Sequence, residues 1–201
     1  MEIWLATFNE GKLREFKSLM AGSPFTQFHT AKELSYYSAP EETGNSFLEN
    51  ARIKARSFQA IKPGVWVVGE DSGLEVMGLN MMPGIHSSRY AGSHASDIEN
   101  NLKLLKMMSL RSAHHREAQF RCSLVALDPS GREHHFEGTL KGQIAKKMKG
   151  QEGFGYDSLF IPENEEKTLA ELGLAFKNKI SHRSQAIKKF LKFINSYYEQ
   201  K

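Results

Sequence analysis

SFLENARIKARSFQAIKPGVWVVGEDSG, residues 46–73, holds a helix, a stop and a strand in one unbroken stretch. Phe47, Ala51, Ala55, Phe58 and Ile61 recur at helical spacing and draw an apolar stripe down one face. Ser46 and Glu49 form the Ser-x-x-Glu pattern that satisfies the first exposed backbone donors of a helix. Pro63-Gly64 ends it, since proline lacks the N–H a continuing helix needs and glycine supplies the turn. Val65 to Val68 then reads as a short buried strand, β-branched and aromatic. Glu70-Asp71-Ser72-Gly73 is thereby placed at a strand end, two carboxylates beside a glycine that lets a ligand approach the backbone.

Toward the N-terminus, Glu2 to Ala6 reads as a strand and Lys12 to Met20 as a helix, with Thr7 to Gly11 as the loop joining them. Toward the C-terminus, Ser96 to Met108 has the pattern of a surface helix. Ala118 to Leu127 and Glu133 to Leu140 read as antiparallel strands around Asp128-Pro129-Ser130-Gly131, and Ser184 to Tyr198 as a last amphipathic helix. Strands alternating with helices and then a hairpin imply an α/β or mixed α+β class with a mixed sheet.

At 201 residues, 40% hydrophobic and 25% charged, the chain can bury one core, and a single domain over residues 1–201 is expected. Its one cysteine, Cys122, cannot form an intramolecular disulfide. The N-terminus lacks a signal-peptide core, and no apolar stretch approaches the roughly 18 residues of a membrane span. Together these favour the cytoplasm and argue against a membrane partner. A formal charge of +4 suits a polyphosphate substrate, a nucleic acid or a lysine-rich surface alike.

Four clusters could carry chemistry. Thr7-Phe8-Asn9-Glu10-Gly11-Lys12 follows a strand and opens a helix, where backbone donors, the helix dipole and Lys12 attract anions; it lacks the Walker glycine spacing. Glu70-Asp71 offers oxygen ligands of the kind Mg²⁺ prefers, and the distant pair Glu41-Glu42 could complete such a site. In Gly153-Phe154-Gly155-Tyr156-Asp157, flexible backbone could lay Phe154 over a base. Lys177-Asn178-Lys179-Ile180-Ser181-His182-Arg183 gathers donors ahead of the last helix, suited to a carbonyl oxygen. Each also has a plain structural reading: a solvated turn, loop charges, a core aromatic, or a basic loop with Ser181 as a cap. The pairs His114-His115 and His134-His135 lack zinc spacing.

In this order, the segments closely resemble the inosine triphosphate pyrophosphatase family, over nearly the whole chain. The matching stretches are Leu5-Ala6-Thr7-x-Asn9-x-Gly11-Lys12, Ser46-Phe47-x-Glu49-Asn50-Ala51-x-x-Lys54-Ala55, Asp71-Ser72-Gly73-Leu74 and Pro83-Gly84-Ile85-x-Ser87-x-Arg89-Tyr90. Gly153 to Asp157, Thr168-x-Ala170-Glu171-Leu172 and Lys177-Asn178-x-Ile180-Ser181-His182-Arg183 continue the match. The resemblance implies an elongated, twisted mixed sheet flanked by helices, with two lobes around a deep central cleft. It also implies a homodimer and a Mg²⁺-dependent hydrolase that cleaves ITP, dITP or XTP to the monophosphate and pyrophosphate.

By the same resemblance, Thr7, Asn9, Gly11 and Lys12 form the triphosphate-binding turn, Lys54 is a further phosphate contact, and Asp71 is general base and metal ligand. Ser72 is a substrate contact beside it. Phe154, Gly155, Tyr156, Asp157, Lys177, His182 and Arg183 line the base pocket, and Glu41 is favoured over Glu42 as second metal carboxylate. The sequence departs from the family pattern at Phe8, where a small residue is usual, and at Glu70, His86 and Ser158. Phe8 could narrow the phosphate site. The rival readings are a related pyrophosphatase for other modified nucleotides and a nucleic-acid-binding protein using Lys146-Lys147-x-Lys149; the latter leaves the acids near the glycines unexplained.

Overall fold

A computed structural model describes residues 1–112 and 114–199. In chain order the elements are β1 (Glu2–Leu5), α1 (Glu10–Leu19), β2 (Gln27–Thr30), α2 (Phe47–Gln59), β3 (Trp66–Val76) and α3 (Asp97–Arg111). They continue with β4 (Glu117–Leu127), β5 (Glu133–Ile144), β6 (Phe160–Pro162), α4 (Leu169–Leu172), α5 (Leu174–Ile180) and α6 (His182–Glu199). One six-stranded sheet runs in the order β2-β1-β3-β4-β5-β6. β1 is parallel to β2 and to β3, whereas β5 and β6 are antiparallel, so the expected mixed α/β class holds. No helix among the described residues is long and apolar enough to cross a membrane.

The chain divides into two compact units, and β3, β4 and β5 each contribute residues to both. Unit 1 comprises Met1–Asp71, Cys122–Gly138 and the described residues from Arg183 onward. Here the sheet is buried on both faces. Ile3 and Leu5 pack with Phe16 of α1 and Phe190 of α6, while Trp4 and Ala6 pack with Ala51 and Phe58 of α2. Burial of both faces is why β1 reads as a continuous apolar run instead of an alternating one. Unit 2 comprises Ser72–Arg121 and Thr139–His182. Its core gathers Leu74 and Val76 of β3, Leu104 and Met108 of α3, and Leu159 and Phe160.

The strand expected to close at Val68 runs on to Val76, so Glu70, Asp71, Ser72 and Gly73 lie inside β3 and not at a turn beyond it. Gly69 lies inside this strand, where α2 packs against it. A Cβ there would sit 2.2 Å from the carbonyl oxygen of Ala51, so only glycine lets α2 lie this close to the strand. Past the polar residues, Leu74 and Val76 are fully buried and resume the strand's apolar pattern.

Candidate active site

The turn between β1 and α1 is built by its own side chains. Asn9 is the N-cap, its Oδ1 accepting from the Lys12 N–H at 2.9 Å, and Thr7 Oγ1 accepts from the Asn9 N–H at 3.3 Å. This cap starts α1 at Glu10, two residues earlier than the apolar pattern indicates, and places the buried Gly11 and the side chain of Lys12 in its first turn. Lys12 Nζ reaches Glu70 Oε2 at 2.7 Å. Phe8 is partly exposed, and its ring lies parallel to that of Tyr37, with centroids 5.9 Å apart.

Helix α2 supplies the next layer, because Asn50 and Lys54 stand four residues apart on one face. Lys54 Nζ donates to Asp71 Oδ1 at 2.8 Å and lies 2.6 Å from Glu42 Oε1 and 3.3 Å from the Glu70 carbonyl. Asn50 is fully buried. Its Nδ2 donates to Asp71 Oδ2 at 3.3 Å, and its Oδ1 accepts from the Gly44 N–H at 2.9 Å, which ties the acidic loop to the strand carboxylate. The loop therefore brings in Glu42, not the favoured Glu41, which is exposed. The Thr43 N–H donates to the Glu41 carbonyl at 3.1 Å, a tight turn centred on Glu42.

Burial pushes the Asp71 carboxyl above its ordinary pKa, a rise that Lys54 and Lys12 restrain and Glu42 reinforces. For Lys54, burial would lower the ammonium's pKa, but Asp71 and Glu42 more than offset it and the net shift is upward. Two carboxylates sharing one ammonium give the hard oxygen donors that suit Mg²⁺, which takes one or two carboxylates and completes its shell with phosphate oxygens and water. Among the described residues no group of three or more His, Cys, Asp or Glu side chains is placed to hold a metal. Ser72 follows Asp71 in β3 and is half-buried.

Behind Lys12 lies a buried charge network. Arg183, 1% exposed, donates to Glu15 of α1 and to Glu70 Oε1 at 3.1 Å; the Cys122 thiol donates to the same oxygen at 3.3 Å. Burial and then the Glu70 charge drive the Cys122 thiol well above its ordinary pKa, so it is inert. Arg183 was expected in the base pocket; its guanidinium pairs with Glu15 and with Glu70, the carboxylate that also meets Lys12.

The remaining expected residues belong to unit 2. Lys177 Nζ donates to Asp157 Oδ2 at 2.5 Å and stands 4.3 Å from the centroid of the Phe154 ring, while the Phe154 N–H donates to the same carboxylate oxygen at 2.9 Å. Lys177 and Asp157 are buried and Phe154 is half-buried. Glycines flank the ring with φ of +85° at Gly153 and +61° at Gly155, and a Cβ at Gly153 would fall 2.2 Å from Asp157 Oδ2. Tyr156 is buried and donates to the Ser87 carbonyl at 2.8 Å, with burial pushing its phenol up. His182 is buried and stacked on Phe120, with centroids 4.8 Å apart.

Asn50 and Glu15 join the site without a role assigned from the sequence, whereas Glu42 was the less favoured of the pair Glu41-Glu42. Asn50 and Glu15 did leave a signal, as polar residues on the apolar stripes of α2 and α1.

The resemblance read from the motifs is borne out by known proteins. The sequence model of the Ham1 family matches residues 3–193. A dITP/XTP pyrophosphatase of Bdellovibrio bacteriovorus is 50% identical over 191 residues, 95% of this chain and 96% of that protein. The solved structure of a HAM1 protein from Coxiella burnetii gives a TM-score of 0.87 at 36% identity, covering 98% of this chain and 99% of its own. That of the Staphylococcus aureus Ham1 protein gives 0.83 at 38% identity, covering 98% and 100%. On both sequence and structure, this chain belongs to the Ham1 family.

Proposed function

We propose that this protein hydrolyses deaminated purine nucleoside triphosphates, dITP, ITP and XTP, to the monophosphate and pyrophosphate, as the names of its relatives suggest. The observation that carries the reading is the cluster of buried Asp71 with half-buried Lys54 and Glu42, beside the Asn9-capped turn bearing Lys12. The polyphosphate is handled by this cluster in unit 1 and the base by Phe154, Asp157, Lys177 and His182 in unit 2.

Lys12 and Lys54 balance phosphate charge. Asp71 orients a water and takes its proton as the water's oxygen attacks the α-phosphorus and the bond to the bridging oxygen breaks, so that pyrophosphate leaves. Its raised pKa makes it a stronger base than an exposed aspartate. Asp71 and Glu42 would hold Mg²⁺, which when bound neutralises phosphate oxygens. Arg183 enters by fixing Glu70, and through it Lys12.

Hypoxanthine and xanthine carry a 6-oxo acceptor where adenine carries an amine. Donors from Lys177 and His182 pair with the oxo group and are stranded by ATP. Each buried donor left without an acceptor costs about 1–3 kcal/mol, roughly 5- to 150-fold in selectivity. The substrate pool sets the reaction in the cytoplasm. A homodimer, as the family resemblance implies, finds support in Ile98 and Leu102, one turn apart on α3 and 63% and 52% exposed, which a second copy would cover.

Asp71→Asn keeps the shape of the side chain and removes its basicity. Pyrophosphate release from ITP is expected to fall by at least ~100-fold, with thermal unfolding little changed. Near-normal turnover would rule out Asp71 as the base.

A further inference from the structure

Helix α3 begins with a capping box, Ser96 with Glu99, and its first five residues carry two side chains that reach the glycine loop of unit 2. Asp97 Oδ2 accepts from the Gly155 N–H at 2.6 Å, and Asn101 Nδ2 donates to the Gly155 carbonyl at 2.8 Å. The two residues stand four apart and so share one face of the helix. Asn101 Nδ2 also donates to the Asp97 carbonyl at 2.7 Å. With Asp157 Oδ2 accepting from the Phe154 N–H, three backbone groups around the Phe154 ring are each held by a side chain.

We infer that Asp97 and Asn101 are positioning residues for base recognition: they grip Gly155 by its N–H and its carbonyl and so fix the direction in which Phe154 presents its ring. The inference rests on the base-reading role proposed above for Phe154. Gly155 has φ +61°, and the space where a Cβ would stand is open, so no packed side chain of its own holds this left-handed backbone in place. The arrangement also carries a cost that packing alone does not explain. Asn101 is 2% exposed, and both partners of its amide nitrogen are carbonyl oxygens, which fixes the orientation of the amide. Its Oδ1 is then buried without a hydrogen-bond partner among the described residues. A buried polar atom left unsatisfied marks a constraint selected for something other than stability.

The test is a double-variant cycle with ITP and ATP as substrates: wild type, Asn101→Ala, Phe154→Ala and the double variant, with thermal unfolding as a check on folding. Asp97→Ala, at an exposed residue, is the second route to the same contact. Each single clamp variant is expected to raise KM for ITP about tenfold with kcat little changed, and to leave the preference for ITP over ATP within about twofold, because stacking on Phe154 does not discriminate between bases and the preference is read by Lys177 and His182. In the Phe154→Ala background the further loss is expected to stay under about twofold, because residues acting through one group are not additive. A loss in kcat instead of KM, or the same tenfold loss in both backgrounds, would overturn the clamp. If Phe154→Ala leaves KM for ITP unchanged, the base reading fails and the clamp with it. If Phe154→Ala raises KM while Asn101→Ala and Asp97→Ala do not, only the clamp fails.

Discussion

Arg183 donates to Glu15 and Glu70, and Glu70 pairs with Lys12, so charges of alternating sign line up in the interior of unit 1. Burial alone would lower the guanidinium's pKa; Glu70 and Glu15 more than reverse this, and it remains charged. Removing the cation strands two carboxylates away from water, and breaking a buried pair in this way costs about 3–5 kcal/mol. Arg183→Met is therefore expected to lower Tm by roughly 6–20 °C at pH 7, at about 2–4 °C per kcal/mol for a chain of this size. A melt within a degree or two of wild type would contradict the network. Lys177 to Arg183 read as one donor cluster in the sequence, and successive helical residues point roughly 100° apart, so neighbours within it meet different partners. His182 accordingly stacks on Phe120 in unit 2 while Arg183 meets Glu15 in unit 1. Motif spacing selects Asp71 and Lys54, which the fold pairs at 2.8 Å, whereas which of Glu41 and Glu42 turns toward Lys54 depends on the path of a loop, and spacing carries no such information.

Among the elements, the connection from β4 to β5 depends most on one side chain. Asp128 is fully buried, and its Oδ1 accepts from Ser130 Oγ at 2.6 Å, from the Ser130 N–H at 2.9 Å and from the Arg132 N–H at 3.0 Å. Tyr197 of α6 donates to its Oδ2 at 3.2 Å, which ties the turn to the last helix. Burial would raise this carboxyl's pKa, but the hydrogen bonds from Ser130, Arg132 and His134 overcome it and hold the carboxyl far below the usual range. A carboxylate depressed in the folded state contributes stability that is complete above its unfolded pKa, about 4, and is lost as pH falls below that. The gap in Tm between wild type and Asp128→Asn should thus be full at pH 7 and narrow below about pH 4; a gap constant with pH would contradict this. Elements with their own local signal are legible: α2 runs Phe47–Gln59 from the Ser46 cap that its pattern indicates. β2 and β6, of four and three residues, are too short to show a period and are stabilised by pairing with β1 and β5. Helix α4 also went unread, although Thr168 and Glu171 form a capping box that its sequence displays.

At the scale of the molecule, a charge of +4 does not choose between a nucleotide and a nucleic acid. The distribution of side chains bears on that choice: Lys12 lies against Glu70, Lys177 against Asp157, and Lys54 against both Asp71 and Glu42. Cations meant for a nucleic-acid backbone stand on the surface, where they can exchange counterions. The central strands β1, β3, β4 and β5 were readable because buried strands leave long apolar runs; the division into two units was not readable from the pattern, since β3, β4 and β5 pass through both without a break. The most direct test of the central claim, attack of water on the α-phosphorus assisted by Asp71, is hydrolysis of ITP in ¹⁸O-labelled water with both products analysed by mass. The account requires the label in the monophosphate and unlabelled pyrophosphate as the second product. Release of orthophosphate, or label in the pyrophosphate, would contradict it.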